Sequence, residues 1–216
     1  MSAPEMISMG CRLNIAESET LRQNLAANNI DGDNLIIVNS CAVTNEAVRQ
    51  TRQAIRRAKK DNPEKNIIVT GCAAQVDPAM FADMPETSAV VGNGDKYEAA
   101  NFKLGLQSNR PEIRVSDIMR ITETTPHMVS AFADRSRAFV EIQNGCDHRC
   151  TFCIIPFGRG NSRSVPAGLV VDQVQALVDK GFQEVVLTGV DVTSYGPDLP
   201  GEPTLGLLLE RVLQHV

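Results

Sequence analysis

Three cysteines, Cys146, Cys150 and Cys153, stand at a C-x3-C-x2-C spacing in the stretch Gly145-Cys146-Asp147-His148-Arg149-Cys150-Thr151-Phe152-Cys153. A loop that short can fold three thiolates around one metal cluster. Thiolates are the ligands of iron–sulfur clusters, and a [4Fe–4S] cluster needs four of them to occupy every iron. Ile154-Ile155-Pro156 follows, with no further cysteine nearby. One iron would therefore stay open to a substrate or cofactor. Zinc is the rival reading, but structural zinc sites usually read as two separated pairs of Cys or His. His148 lies inside the triplet and reads as a polar loop residue rather than a fourth ligand.

The other three cysteines, Cys11, Cys41 and Cys72, are 30 and 31 residues apart, the length of a βα unit. Each follows a short apolar run: Met6–Met9, Leu35–Val38 and Ile67–Val69. Strands alternating with helices predict a parallel sheet with helices on both faces. Functional groups in such sheets gather at the carboxyl ends of the strands. If these strands are neighbours, the three thiols meet at one edge. The plain alternative is three unrelated small apolar side chains. Their equivalent placement in three successive units argues for a shared three-thiolate site.

The elements that must carry these cysteines follow from pattern. Asn14 and Glu17 look like a capping box opening a helix to about Asn29. A second helix is predicted from about Thr44 to Lys60 and a short one from Pro78. Ala89–Val91 is a fourth strand candidate, and Asp95 is placed as the cap of a helix to about Leu106. Residues 108–135 read as a linker, with a possible short strand at Ile113–Val115. A second α/β pattern begins at Ser136. Ala138–Ile142 is a strand leading into the triplet, and Ser164 is placed as the cap of a helix ended by Gly181. Glu184–Thr188 is the next strand, ending at Gly189-Val190-Asp191, and Thr204 caps a last helix. A complete (β/α) barrel takes about 250 residues. The 81 residues from Ser136 to Val216 suffice for two or three units, so the chain is expected to be an N-terminal portion of a longer enzyme.

Composition narrows the setting. No apolar run approaches the ~20 residues a bilayer crossing needs, and no secretory leader is visible, so a cytoplasmic protein is expected. Six cysteines there suit metal ligands or reactive thiols better than disulfides. A net charge of −5 lends no support to a general nucleic-acid binder. Arg49, Arg52, Arg56, Arg57, Lys59 and Lys60 nevertheless make one helix end basic. A solvated face and a tRNA contact both stay open for it.

Two three-cysteine sets on two α/β domains, in this order, resemble the radical S-adenosylmethionine (SAM) methylthiotransferases. The resemblance rests on Gly10-Cys11-Arg12-Leu13-Asn14 with Glu17-Ser18-Glu19, Asn39-Ser40-Cys41-Ala42-Val43-Thr44, Thr70-Gly71-Cys72-Ala73-Ala74-Gln75, Gly145 to Ser164, and Leu187-Thr188-Gly189-Val190-Asp191. It implies a flavodoxin-like cluster-binding domain over 1–107 and the start of a radical-SAM partial (β/α) barrel over 136–216. Gly-Cys-Arg-Leu-Asn stands nearest the branch acting on threonylcarbamoyladenosine in tRNA. The branches acting on isopentenyladenosine or on a ribosomal protein side chain are the alternatives, and an inactive cluster-binding fragment is a further one.

The resemblance also implies roles. Cys146, Cys150 and Cys153 would hold a [4Fe–4S] cluster whose open iron binds SAM, releasing a radical that removes hydrogen from C2 of the adenine. Cys11, Cys41 and Cys72 would hold a second [4Fe–4S] cluster serving sulfur insertion, and a second SAM would methylate that sulfur. Phe152 is placed either against the adenine of SAM or at the base of the loop. Arg159 and Arg163 are placed toward the SAM carboxylate or an RNA phosphate, Gly189 where backbone approaches the cofactor, and Asp191 toward the SAM ammonium. The expected partners are tRNA and a reductant such as flavodoxin or ferredoxin, with the chain a monomer away from any membrane.

Overall fold

The computed structural model describes residues 3–103, 111–122 and 137–216. The expected helix end at Leu106 and most of the 108–135 linker lie outside them. The first half is built from β1 (Glu5–Ser8), α1 (Arg12–Ala27), β2 (Leu35–Ser40), α2 (Asn45–Asp61), β3 (Asn66–Gly71), α3 (Cys72–Val76), α4 (Pro78–Ala82), β4 (Ala89–Val91) and β5 (Glu112–Arg114). All five strands are parallel, in the order β1-β2-β3-β4-β5.

β2 is buried along its whole length, as its continuous β-branched run requires. Its alternate residues serve two cores. Leu35 and Ile37 pack with Leu21 and Leu25 of α1, whereas Ile36 and Val38 pack with Ile55 and Ala58 of α2. Helices thus cover both faces, as expected. The strand order is sequential, not the 2-1-3-4-5 order of flavodoxin itself. With α1 and α2 on opposite faces, the two successive crossovers have opposite hands, and one departs from the usual right-handed connection.

Several local expectations change. α1 starts at Arg12 with Cys11 as N-cap and no side-chain cap bond. Asn14 and Glu17 are buried inside it rather than forming a capping box. The segment read as linker contains β5, which extends the sheet. Asp95 caps no long helix. Its carboxylate accepts from the Ser116 amide and hydroxyl at 2.7 and 2.6 Å, and the helix that follows is one 3-10 turn, Ala99–Phe102. Thr44 does cap α2, accepting from the Ala47 amide at 3.0 Å.

The second half comprises β6 (Arg137–Glu141), β7 (Gln143–Asn144), α5 (Ile155–Arg159), β8 (Arg163–Ser164), α6 (Ala167–Asp179), β9 (Glu184–Thr188) and α7 (Leu205–His215). β6 and β9 pair in parallel, with α6 as their crossover helix; β7 and β8 pair antiparallel. Val170, Val174 and Leu177 of α6 share a core with Ala138 and Val140 of β6. Ser164 does not cap α6, whose N-cap is Pro166; its hydroxyl accepts from the Gly196 amide at 2.8 Å. Thr204 does cap α7. Ala16 of α1 is buried in the same core as β6, so α1 joins the two halves. Among the described residues no helix is long and apolar enough to cross a membrane.

Candidate functional site

β1, β2 and β3 are adjacent, and Cys11, Cys41 and Cys72 follow their carboxyl ends. The three cysteines border one cavity of about 290 Å³. Cys41 and Cys72 are buried, Cys11 is exposed, and all six cysteines of the chain are free thiols. Glycines set the spacing at this edge. Gly10 has φ +92°, and a Cβ there would lie 2.6 Å from Cβ of Cys41. Gly71 has the same φ, and its Cβ would lie 2.4 Å from Oδ1 of Asn39 and 2.5 Å from the Ser40 carbonyl. Ser40 ties the neighbouring strand ends together: its hydroxyl donates to the Thr70 carbonyl at 2.5 Å and accepts from the Ala74 amide at 3.1 Å.

The opposite wall of this cavity comes from the second half: Ile154, Ile155, Arg159 and Thr188 to Val190. Gly158 is packed against Cys72: a Cβ added at Gly158 would lie 3.1 Å from Cβ of Cys72. The site is therefore composite. Among the described residues no three Cys, His, Asp or Glu side chains converge on a single-ion site; the three thiols instead stand around a cavity.

Arg159 is 4% exposed and is the cation on that wall. Its guanidinium meets Glu17 at 2.8 and 3.1 Å, Asn144 at 3.0 Å and Asn14 at 2.5 Å. Lys96, also buried, reaches Glu17 at 2.9 Å and Asn93 at 2.7 Å. Asn93 in turn donates to the Gly158 carbonyl at 2.6 Å and approaches the Cys72 sulfur at 3.6 Å. Burial alone would raise the Glu17 carboxyl, but Arg159 and Lys96 hold it down at about 2. Glu141, at the end of β6, is pushed up to about 7 by burial and by the Glu17 charge. Burial also pushes the Cys72 thiol up, against the pull of Arg159 and Lys96. Two cations face one firmly ionised carboxylate here, so the wall behind the thiols is electropositive. That suits a cluster carrying several thiolate charges.

The second triplet lies in an irregular loop. The Cys146 amide donates to the Gly160 carbonyl at 3.1 Å and the Cys153 amide to the Cys150 carbonyl at 3.0 Å. Arg149 pins the loop, donating to the Cys146 carbonyl at 2.7 Å and to Asn161. Asp147 accepts from the Ser162 amide at 2.9 Å. Cys150 is exposed and its two companions are partly so, leaving the thiols accessible to an incoming cluster. His148 lies 2.9 Å from the Asp191 carboxylate, in keeping with a polar loop role.

The fully buried Gln143 connects this loop to the end of β9. Its amide nitrogen donates to the Gly145 carbonyl at 2.8 Å, while its oxygen accepts from the amides of Val190 and Asp191 at 3.0 and 2.8 Å. Gly189 packs directly on it, a Cβ there falling 2.8 Å from the Gln143 carbonyl. Asp191 sits at this edge with its carboxyl lowered by hydroxyl bonds from Thr193 and Ser194 and by His148. The structure thus groups Gly189 and Asp191 with the triplet.

It does not bring Arg163 there. That side chain is 6% exposed and donates to the carbonyls of Asn161 and Arg159 at 2.8 and 3.0 Å, holding the return strand in place. Phe152 does not fill the base of the loop, since its ring is 91% exposed. Sequence reasoning named Glu17 only as a cap and motif residue, and missed Lys96, Asn93, Asn144 and Gln143. Asn93 alone carried a signal, because it follows a strand of the same parallel set. Residues chosen for contact across the two halves leave no local periodicity.

Donor chemistry and geometry fit two clusters with three protein ligands each. Cys11, Cys41 and Cys72 would hold one in the composite cavity. Cys146, Cys150 and Cys153 would hold the other on the exposed loop.

Residues 5–92 match the family described as "Uncharacterized protein family UPF0004", and residues 140–214 match the "Radical SAM superfamily". The chain is 54% identical over 212 residues to the "Threonylcarbamoyladenosine tRNA methylthiotransferase MtaB" of Rickettsia prowazekii (strain Madrid E), covering 98% of this chain and 49% of that protein. It is 38% identical over 199 residues to the protein of the same name from Bacillus subtilis (strain 168), covering 89% and 44%. It is 32% identical over 201 residues to the "Ribosomal protein uS12 methylthiotransferase RimO" of Shewanella putrefaciens (strain CN-32 / ATCC BAA-453), covering 90% and 41%. The chain spans about half the length of the curated relatives it matches.

Proposed function

Because the chain belongs to the radical-SAM methylthiotransferase family, whose members use SAM and two [4Fe–4S] clusters, we propose that it is the catalytic front half of a tRNA methylthiotransferase. The proposed reaction converts N6-threonylcarbamoyladenosine, next to the anticodon, to its 2-methylthio derivative. The observation that carries this reading is the composite cavity, in which three thiols of the first half face Arg159 and the Thr188–Val190 turn of the second. Sulfur insertion needs a sulfur donor beside a radical generator, and this is where the two halves close on each other. The relatives named for threonylcarbamoyladenosine and the Gly10 to Asn14 motif support the substrate; relatives named for ribosomal protein uS12 fit less well.

When bound, a reduced cluster with SAM on its open iron would supply the one electron that splits SAM into methionine and a carbon radical able to take hydrogen from a carbon that acid–base groups cannot deprotonate. The chain's own residues do the positioning. Cys146, Cys150 and Cys153 hold one cluster, Arg149 and Gln143 fix their loop, and Gly189 lets backbone come close to the cofactor. Asp191 offers a carboxylate to the SAM ammonium, and Phe152 offers an uncovered ring to its adenine. Cys11, Cys41 and Cys72 hold the second cluster, with the Arg159 charge behind it. Sulfide and iron reconstitution, followed by SAM and a reductant, tests the reading. Release of 5′-deoxyadenosine is expected, and a chain replete in iron that releases none would overturn it.

A further inference from the structure

We propose that the groove between α2 and α4 is an RNA-backbone docking surface that leads substrate to the thiol cavity. This rests on the tRNA reading above and adds a binding site to it. Arg49, Arg52, Arg56 and Lys59 follow one another at i, i+3, i+7 and i+10 on α2. They form a stripe beside the buried face made by Thr51, Ile55 and Ala58. With an α-helical pitch of about 5.4 Å, each turn presents one cation to that side. A polyanionic backbone can follow such a row, whereas a compact ligand cannot span it.

Three observations separate this stripe from an ordinary solvated face. First, its three arginines line a groove of about 250 Å³ together with Asn45, Val48, Gln53 and Met80, while Lys59 lies beyond the groove with its ammonium donating to the Lys65 carbonyl at 2.8 Å. Second, its charge is largely uncompensated: on α2 only Glu46 pairs with it, through Arg49. The Nε of Arg52 is enclosed without a hydrogen-bond partner. This stands out on a chain whose net charge is −5. Third, the groove begins where the cavity ends. Ala42 and Val43 border the thiol cavity, Asn45 borders the groove, and only Thr44 separates them. A strand held along the groove would enter at the edge where Cys11, Cys41 and Cys72 gather.

Guanidinium groups on phosphate give affinity without reading sequence, and their contribution falls with salt. RNA is favoured over an acidic protein because the row is narrow and periodic and has only Val48 and Met80 as apolar surface. The test uses the iron- and sulfide-reconstituted chain and unmodified bulk tRNA, measuring Kd across a salt series. The variant Arg52→Gln with Arg56→Gln is compared with Lys180→Gln and Arg211→Gln, which remove the same charge elsewhere. The groove variant is expected to bind about tenfold more weakly near 0.1 M salt, with a salt slope lower by about one for each phosphate it no longer neutralises. Its iron content should equal that of the parent and the control pair should bind normally. Equal binding by groove variant and parent would overturn the groove assignment while leaving the tRNA reading intact. So would a variant that binds tRNA normally but is reduced more slowly by flavodoxin, which would make the groove a reductant site. A parent chain that binds no tRNA would also overturn it. The substrate reading is tested separately, by the nucleosides of cells lacking the gene.

Discussion

Arg159 is the side chain on which the two halves depend most. It touches Glu17, Asn14 and Asn144 while bordering the thiol cavity. Removing one partner of a buried ion pair leaves the other charge uncompensated, at about 3–5 kcal/mol. Arg159→Ala should therefore lower unfolding free energy by about 3 kcal/mol in urea titration, Lys96 still covering part of the Glu17 charge. Arg159→Lys should lose less. Glu141 gives a pH dependence of opposite sign to that of Glu17. Its carboxyl is raised to about 7 in the folded chain, so the stabilisation it brings is complete below the ordinary carboxylate range and disappears as pH rises through 7. Glu17, held at about 2, contributes stability above the ordinary range and loses it only as pH falls toward 2. Glu141→Gln should therefore stabilise the protein at pH 8 by up to about 3 kcal/mol and hardly at all at pH 4. Matched melts at the two pH values check this. The meeting of Cys11, Cys41 and Cys72 at one cavity was legible from their spacing and their place after successive strands. The pairing of Glu17 with Arg159 was not, because an ion pair between residues 142 positions apart leaves no pattern in either segment.

At the scale of elements, the strand–cysteine–helix order was readable because a strand buried on both faces must be a continuous apolar run. The cysteine positions at strand ends followed from that. The sequential strand order was not readable, since hydrophobic pattern fixes which faces are buried and not which strands adjoin. β5 was legible only as a possible short strand at Ile113–Val115, and its place at the sheet edge was not. Three residues, two of them exposed, carry too little apolar signal to separate an edge strand from a linker. The turns that place the cysteines make a further prediction. Gly71 has positive φ and no room for a Cβ, so Gly71→Ala should push β3 away from Asn39 and Ser40 and shift Cys72 with it. A cost of about 1–3 kcal/mol is expected from such a backbone position. Iron bound per chain should fall from about eight toward about four, leaving the loop cluster in place. Cys41→Ala should lose the same share of iron with little change in melting temperature of the apo protein, which separates ligand loss from backbone strain.

The whole molecule works as two α/β halves closed over one cavity, with α1 packed against both. Neither half alone encloses the thiol edge. That arrangement explains why the motif residues Asn14 and Glu17 sit inside a helix rather than at its cap: they face the other half. It also follows the order of the two matched families, with residues 5–92 in the first half and the radical-SAM match over residues 140–214 in the second. The most direct test of that account is mass spectrometry of tRNA nucleosides from cells lacking the gene, complemented with the intact gene or with its Cys41→Ala form. The account predicts that 2-methylthio-threonylcarbamoyladenosine disappears, that its unthiolated precursor accumulates, and that only the intact gene restores the mark. Persistence of that nucleoside in the deleted strain, or its restoration by the Cys41→Ala form, would contradict it.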